Sequence, residues 1–318
     1  MNIKIKTTSL FSLFLLIMVG FSCNTKTTKS EKSNLSEDFP EAMVQFSPIV
    51  SNPIFQGTGT ETWDKQIRER GYILYEDGLY KMWYSGYNEG ISEVKYLGYA
   101  TSKDGINWER FSEKPILKDI WVEDMHVIKY NNLYYMLAEG KGDITHLLTS
   151  TDGINWDSKG DISIFKVNGE PISEGPYGTP TMWIENGKIY LYYERDDEAI
   201  WLATSTDFKN WTNMQDEAVL EKGPKEYDAG AVATNQIIKY QGKYYMFYHG
   251  SSNPDWMKPG VEALWTSNVA MSTDLIHWTK YPQNPIVEGD HSSPILVFDG
   301  IKYSLFTMHD KVWRYDPK

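Results

Sequence analysis

Cysteine is nearly absent from this chain of 318 residues: Cys23 is the only one, so no disulfide can form within the chain. Stability must therefore come from packing. Basic residues are also scarce, since 31 Lys and Arg stand against 43 Asp and Glu, and the formal net charge of −12 argues against nucleic acid as a partner. The sequence contains no phosphate-cradling glycine loop, no serine-centred nucleophile elbow and no zinc-ligand spacing.

Apolar runs long enough to cross a bilayer comfortably are lacking too, because the N-terminal run covers only residues 10–21. Two lysines precede it, and the following VGFSC resembles the lipobox of bacterial lipoproteins. We therefore expect a signal peptide at residues 1–22, then lipidated Cys23 and a flexible polar tether ending at residue 40. A plain secretory peptide or an anchor helix is the alternative. The resemblance implies a Gram-negative envelope lipoprotein that faces the periplasm or the cell surface and meets the membrane only through its lipid.

One polar turn ending in tryptophan recurs four times. It reads TSKDGINW at 101–108, TSTDGINW at 149–156, TSTDFKNW at 204–211 and MSTDLIHW at 271–278. The Ser and Asp of each copy can bond free backbone N–H groups, and the Trp can pack between neighbouring sheets. We therefore interpret the turn as a structural element rather than a catalytic one.

A second repeat consists of an apolar run, a tight turn and an aromatic run. Its five copies cover residues 73–86, 127–140, 182–195, 237–250 and 295–310. Combined with the tryptophan turns, they predict an all-β fold at residues 41–318, a five-bladed β-propeller of four-stranded antiparallel blades. The fifth unit lacks its own outer strand, so we expect residues 42–50 to supply it and close the ring.

Loops that begin the first strand of each blade, or follow the second, should meet at one mouth of the central channel. They contain carboxylates, arginines, histidines and aromatics. The candidate catalytic residues are Asp64, Asp124, Glu174 and Asp228, and the candidate substrate-binding residues are Trp63, Glu69, Arg70, His126, Tyr177, Glu194, Arg195, His249, His291 and His309. Paired carboxylates in an acidic pocket with aromatic residues suggest cleavage of glycosidic bonds. Asp64 and Asp228 each precede the apolar run by nine residues, so they should occupy equivalent sites.

The hairpins, tryptophan turns and NPI-type connectors together resemble the five-bladed propeller glycoside hydrolases of families 43 and 117, and more distantly families 32, 62, 68 and 130. By position, the family-43 resemblance implies Asp64 as general base, Asp124 as the residue that tunes the acid, and Glu174 as general acid. Counting back from the first strand puts the base position at Arg70 and Glu69 instead, and the acid position at residues 178–179. Family 117 employs a histidine acid, for which His249 and His309 are the candidates.

Three functions remain open at this point. The first is an exo-acting, inverting glycosidase that cleaves terminal sugars from plant or algal oligosaccharides or polysaccharides. The second is a phosphorylase similar to family 130, which would need a basic cluster to bind phosphate, and the third is a non-catalytic carbohydrate-binding propeller. We expect a monomer that needs no cofactor, although the resemblance allows a calcium ion on the propeller axis.

Overall fold

Five sheets form the blades of a propeller in this computed structural model, which describes residues 37–68, 70–173 and 175–318. Their strands pair antiparallel, except that residues 163–165 pair parallel with residues 210–212 in the third sheet. A short helix, α1 (Glu41–Val44), and strands β1 (Phe46–Pro48) and β2 (Phe55–Gln56) come first. Blade one contains β3 (Gln66–Ile67), β4 (Tyr72–Glu76), β5 (Leu79–Asn88), β6 (Ser92–Ser102) and β7 (Glu109–Arg110). Blade two contains β8 (Glu123–Tyr130), β9 (Leu133–Glu139), β10 (Thr145–Ser150) and β11 (Asp157–Asp161).

Blade three is the largest sheet. It contains β12 (Ser163–Phe165), β13 (Gly178–Glu185), β14 (Lys188–Glu194), β15 (Ala199–Ser205), β16 (Asn210–Asn213) and β17 (Leu220–Glu221). A 3-10 helix (Glu226–Asp228) leads into blade four, which contains β18 (Ala231–Tyr240), β19 (Lys243–Ser251), β20 (Trp265–Ser272) and β21 (Thr279–Lys280). Blade five contains β22 (Ile295–Phe298), β23 (Tyr303–Met308) and β24 (Lys311–Pro317). The predicted five-bladed, all-β fold is thus confirmed.

Strand β1 closes the ring, as the sequence predicts. It pairs antiparallel with β24, with Phe46 opposite Pro317 and Pro48 opposite Tyr315. Strand β2 also pairs with β24, through Phe55 opposite Val312. The N-terminal segment therefore supplies the outer strand of blade five, and β24 is left with no free edge on that side.

The four repeated turns share one hydrogen-bond pattern. In each, the Ser hydroxyl lies 2.9–3.0 Å from the Asp carboxylate, which also accepts two backbone N–H bonds. Three of the turns also bind a neighbouring blade, because the carbonyls of Asp104, Gly153 and Leu275 accept bonds from the side chains of Arg314, Trp83 and Tyr192. These contacts agree with a structural role for the repeat.

Asp38 and Phe39, inside the segment expected to be a tether, pack against blade four. Asp38 forms a 2.6 Å ion pair with Lys243, and its carbonyl accepts a bond from the Tyr245 hydroxyl. Phe39 is buried, with its ring centroid 5.0 Å from that of Tyr281. Burying this aromatic ring favours docking over solvation. Cys23 and the expected signal peptide lie outside the described residues, in which no helix has the length and apolar character to cross a bilayer.

Candidate active site

A ring of equivalent residues begins the inner part of each blade. The five hairpins can be superimposed on one cross-strand pair each: Ile73–Met82, Val127–Met136, Met182–Leu191, Ile237–Met246 and Leu296–Leu305. Three residues before the first member of each pair lie Arg70, Asp124, Thr179, Thr234 and Ser293. Four of them have positive φ angles: 55° at Arg70, 47° at Asp124, 49° at Thr179 and 59° at Ser293. Non-glycine residues seldom adopt this conformation, and such residues cluster at functional sites. The ring therefore marks one end of the channel as the candidate site.

A second ring lies where the next strand of each hairpin ends. Three residues after the second member of each cross-strand pair lie Ser85, Glu139, Glu194, His249 and Met308. Glu139 and Glu194 belong to adjacent blades, and both side chains are buried, with about 5% exposure each. Two carboxyl groups are thus brought together away from bulk water.

Thr179 joins the two glutamates. Its hydroxyl lies 3.2 Å from Oε1 of Glu139 and 3.1 Å from Oε1 of Glu194, and its backbone N–H also donates to Oε1 of Glu139. A Cβ added to Gly178 would lie 2.2 Å from the first oxygen and 2.5 Å from the second, so the two oxygens lie within 4.7 Å of each other. Glycine at position 178 therefore makes room for both carboxyl groups.

Burial raises the pKa of both glutamates. The pKa of Glu139 is well above its ordinary value because of burial and the charges of Asp124 and Glu194, while Arg70 opposes the rise. Burial also raises the pKa of Glu194, but bonds from the Asp197 N–H and from Thr179 partly offset it. A hydroxyl has a single proton, so Thr179 can donate to one carboxyl group and accept from the other. This geometry fits a pair that holds one proton, with Glu139 as the protonated member.

The two glutamates lie in a pocket of about 300 Å3 at the mouth of the channel. Blades one to four all contribute to its walls. The lining residues are Arg68, Asp124, Glu139, Asp143, Pro176, Thr179, Glu194, Asp196, Asp197, His249, Trp256, Met257 and Trp265. Six of these residues are acidic and one is arginine, so the pocket is strongly negative.

Blade four supplies the aromatic wall of this pocket. The Trp265 and His249 ring centroids are 5.3 Å apart and edge-on, and Trp256 packs edge-on against Trp265 at 5.1 Å. The His249 ring is oriented by Asn235, whose Oδ1 lies 3.2 Å from Nδ1. An aromatic wall opposite carboxylates is an arrangement that suits a sugar, which has both apolar faces and hydroxyl groups.

Arg70 is 2% exposed and is not part of the pocket lining. Its Nη2 donates to the Thr234 carbonyl at 2.8 Å, while Nε and Nη1 have no hydrogen-bond partner among the described residues. Its charge favours ionised carboxylates at Glu139 and Glu194. Burial, assisted by Arg70, lowers the pKa of His126 to about 3, so this histidine is neutral at physiological pH. Arg70 thus influences the pocket carboxyl groups through its charge, without lining the pocket.

Asp64 and Asp228 occupy equivalent sites, but those sites are not in the pocket. Asp64 pairs with Arg110 at 2.7 Å, and Asp228 pairs with Lys280 at 2.5 Å. Both aspartates are buried, and both partners belong to the outermost strand of the same blade. We therefore do not include either aspartate in the catalytic group.

The other predicted residues are divided between the pocket and the surrounding packing. Asp124, Glu194 and His249 line the pocket. Glu69 and Glu174 lie outside the described residues. The remaining predicted residues, which are not in the lining, are Trp63, Arg70, His126, Tyr177, Arg195, His291 and His309.

Several of these side chains have contacts that explain their position. Trp63 stacks on Tyr84 with the ring centroids 5.8 Å apart, and Tyr177 donates to the Ile162 carbonyl. Arg195 turns back onto the carbonyl of Pro176. The two histidines of blade five also have local partners, since the ring of His291 packs against Trp313 and Nδ1 of His309 lies 3.0 Å from the Ser292 hydroxyl.

The sequence analysis did not name Trp256 or Trp265. It also did not include Glu139 or Thr179 among its candidate residues, although its count back from the first strand placed the family-43 acid position at residues 178–179. The five hairpins contained a signal for Glu139, because aligning YYMLAE with YLYYE places it at the same position as Glu194. The tryptophans gave no such signal, since Trp256 belongs to a loop that the repeat does not cover.

Glu123, Glu139 and Asp143 form an acidic cluster whose ligand oxygens lie within 4.8 Å of one another. Glu123 forms a 2.6 Å ion pair with Arg68, and Glu139 accepts bonds from Thr179. Calcium takes six to eight oxygen ligands. Three carboxyl groups with competing partners are a poor fit for it, and we derive no step through a metal.

Comparison with known proteins shows relatives that act on β-linked mannose. The chain is 26% identical over 243 residues to 1,2-beta-oligomannan phosphorylase from Thermoanaerobacter sp. (strain X514), a match that covers 70% of this chain and 77% of that protein. It is 28% identical over 245 residues to beta-1,2-mannobiose phosphorylase of the same organism, covering 70% and 78%. The chain matches no protein-family model.

Solved structures share the fold. A putative glycoside hydrolase from Parabacteroides distasonis ATCC 8503 has a TM-score of 0.71 at 17% identity, covering 88% of this chain and 99% of that one. A second structure has a TM-score of 0.65 at 17% identity, covering 85% of this chain and 92% of that one. It was described in work on the GH130 family of mannoside phosphorylases, which contains glycoside hydrolases that target β-1,2 mannosidic linkages in Candida mannan. The fold is shared. Family 130, which the sequence resembles more distantly, is thus named for one of the structures that share this fold.

Proposed function

We propose that this protein is a carbohydrate-active enzyme that cleaves terminal glycosidic bonds by hydrolysis, with β-linked mannosides as its substrate class. The observation that carries the proposal is the pair Glu139 and Glu194, buried together and bridged by Thr179 at the floor of a negative pocket. The mannoside specificity is supported by the names of the two curated relatives. A single small pocket at the mouth of a propeller suits a chain end better than a chain middle.

The chemistry follows from the protonation of the pair. Protonated Glu139 donates its proton to the leaving glycosidic oxygen, and the C1–O bond breaks with an oxocarbenium-like transition state. An ionised carboxylate removes a proton from the attacking water. The oxygens of Glu139 and Glu194 lie within 4.7 Å of each other, closer than the about 6.5–9.5 Å between the acid and base of inverting enzymes. We therefore assign the base to Asp124, and Glu194 shares the proton of the acid.

Water rather than phosphate is favoured by the charge of the pocket. Phosphorolysis requires an anion beside the reacting carbon. Five acidic residues besides protonated Glu139 line the pocket, and its one lining arginine, Arg68, is paired with Glu123. Repulsion between like charges opposes phosphate binding there. The phosphorylase reaction is the second candidate, because both curated relatives have phosphorylase names.

Product analysis tests both reactions. The protein is incubated with β-1,2-mannobiose with and without inorganic phosphate, and the products are separated by anion-exchange chromatography. Hydrolysis gives mannose alone and does not depend on phosphate, whereas phosphorolysis gives mannose 1-phosphate. Wild-type binding without turnover on a panel of β-mannosides would instead support a carbohydrate-binding propeller. Turnover retained by a Glu139→Gln variant would show that Glu139 is not the general acid.

A further inference from the structure

The loop between the second and third strands of blade four differs from its counterparts. It covers residues 252–264, which is 13 residues, whereas the corresponding loops of blades one, two, three and five have three, five, four and two residues. This 252–264 loop thus makes the mouth of the propeller asymmetric. It lies next to the aromatic wall, because β20 begins at Trp265.

The 252–264 loop supplies two side chains to the pocket. Trp256 and Met257 both line it, and Met257 is 64% exposed. Trp256 is half-buried and is supported from behind by Trp265, which in turn packs edge-on against His249. An apolar surface is therefore presented to solvent at the mouth, continuous with the aromatic wall.

The loop is held in place by its own bonds. Asn253 donates to the Glu262 carbonyl at 3.0 Å, and its Oδ1 accepts the Asp255 N–H at 2.9 Å. Gly230 lies directly beneath it, since a Cβ at that position would lie 2.3 Å from the Asn253 carbonyl oxygen. A preorganised surface loses less entropy when a ligand binds than a surface that must be ordered.

The catalytic pair and the loop face different parts of a bound chain. The reacting sugar must place its anomeric carbon near Glu139 and Glu194, because a general acid works only within hydrogen-bond reach of the oxygen it protonates. The sugar that leaves lies beyond that oxygen, toward the mouth. Aromatic and thioether side chains can cover the apolar face of a sugar ring without competing for its hydroxyl groups.

We propose that the 252–264 loop forms the subsite for the leaving sugar, with Trp256 and Met257 contacting the ring that is released. This inference rests on the proposed function and deepens it, since it makes the enzyme specific for substrates whose leaving group is itself a sugar. Trp256 is thus a specificity-determining residue rather than an acid or base.

Two substrates with different leaving groups test the proposal. β-Mannobiose needs a site for its leaving sugar, whereas β-mannosyl fluoride releases only a fluoride ion. Trp256→Ala should lower kcat/KM for mannobiose by about 10-fold to 100-fold, chiefly through KM, and should change fluoride release by less than about 2-fold. Trp256→Phe should retain most of the mannobiose activity. The assays are run with and without phosphate, so that either reaction is detected.

Controls separate this proposal from general damage. Trp201→Ala removes a half-buried tryptophan of blade three that is absent from the pocket lining, and it should affect both substrates little. Equal losses on mannobiose and fluoride, or no loss on either, would overturn the leaving-sugar subsite. If the wild type cleaves neither substrate, the proposed function fails, and mannobiose titration by calorimetry then decides the subsite: weaker binding by Trp256→Ala supports it and equal binding overturns it.

Discussion

Asp228 and Lys280 form an ion pair of 2.5 Å in which the aspartate is fully buried. The Tyr248 hydroxyl donates to the same carboxylate oxygen at 3.2 Å. Blade one repeats the arrangement with Asp64 and Arg110. Each pair ties the loop before the inner strand to the outermost strand of its blade, an arrangement that stabilises the sheet.

Removing the Asp228 carboxylate should destabilise the fold without changing the chemistry. Burial raises the pKa of Asp228 and lowers that of Lys280, so desolvation outweighs their attraction. Asp228→Ala leaves the Lys280 ammonium with only the carbonyls of Glu221 and Gly223 as partners and without this counter-charge. The change should cost about 3–5 kcal/mol of unfolding free energy, whereas the double variant with Lys280→Met should recover much of it. Urea unfolding measures both, and activity per folded molecule should stay within about 2-fold of wild type. A larger loss would return Asp228 to the catalytic group.

Glu139 should limit stability at high pH. Its folded pKa is raised above its unfolded value, so its contribution to stability is complete below the unfolded pKa of about 4.5 and is lost as the pH rises toward the folded pKa. The Gln side chain of Glu139→Gln cannot ionise, so the Tm of this variant should match that of the wild type near pH 4.5. At pH 8 its Tm should be higher, by about 2–4 °C for each kcal/mol of unfolding free energy that the wild type loses through ionisation of Glu139. Calorimetry at both pH values measures this. The same substitution should lower kcat by about 10²-fold to 10⁴-fold. A constant Tm difference across pH would contradict the raised pKa.

Thr179 should influence the acidic limb of the pH profile, because the proposed pair holds a single proton only while Glu194 is ionised. Its hydrogen bond lowers the pKa of Glu194, so Thr179→Val should raise that pKa. A hydrogen bond of about 1 kcal/mol corresponds to a shift of somewhat less than one unit. The acidic limb of kcat/KM should therefore move to higher pH in Thr179→Val and stay in place in Thr179→Ser, which keeps the hydroxyl. Profiles that overlap for all three proteins would show that the bridge is not functional.

Gly178 should be intolerant of even a methyl group. An added Cβ would lie 2.2 Å from Oε1 of Glu139 and 2.5 Å from Oε1 of Glu194, which forces the carboxyl groups apart. Gly178→Ala should lower kcat by at least about 10-fold, since small displacements of catalytic groups are costly. Gly90→Ala, where the nearest atom is an Asn88 side-chain oxygen at 3.2 Å, is the matched control. Similar kinetics for the two variants would argue against the close pairing.

Lipidation of Cys23 remains a prediction from the sequence. In a Gram-negative host, the wild type should incorporate labelled palmitate and appear in the membrane fraction. Cys23→Ala should lose the label and be released, because the expected tether has no other membrane-binding element. Membrane association of an unlabelled Cys23→Ala protein would support the anchor-helix alternative.

The fold could be predicted because the hairpin pattern of a blade occurs five times in the sequence. The fifth copy lacks an outer strand, so another part of the chain had to supply that strand. The equivalence of Asp64 and Asp228 was predictable for the same reason. Their position was not, because a sequence offset fixes where a residue lies along the chain but not whether a partner such as Lys280 draws its side chain outward.

The pocket was harder to predict than the fold. Glu139 could be found by extending the hairpin alignment to the end of the second strand. The position of Thr179 was reached by counting back from the first strand. Its bridging role was not predictable, since that role depends on a positive φ of 49° that turns its N–H and hydroxyl toward two glutamates. Trp256 lies in the 252–264 loop, for which the other blades offer no template.

The pairing of β1 with β24 has a consequence for biosynthesis. The seam joins Phe46 to Pro317, two positions separated by almost the entire ring. The ring can therefore close only after residue 317 has been synthesised. Until then, β1 has no strand to pair with. Closure of the ring therefore depends on one short strand that must find its partner after the other blades have been synthesised.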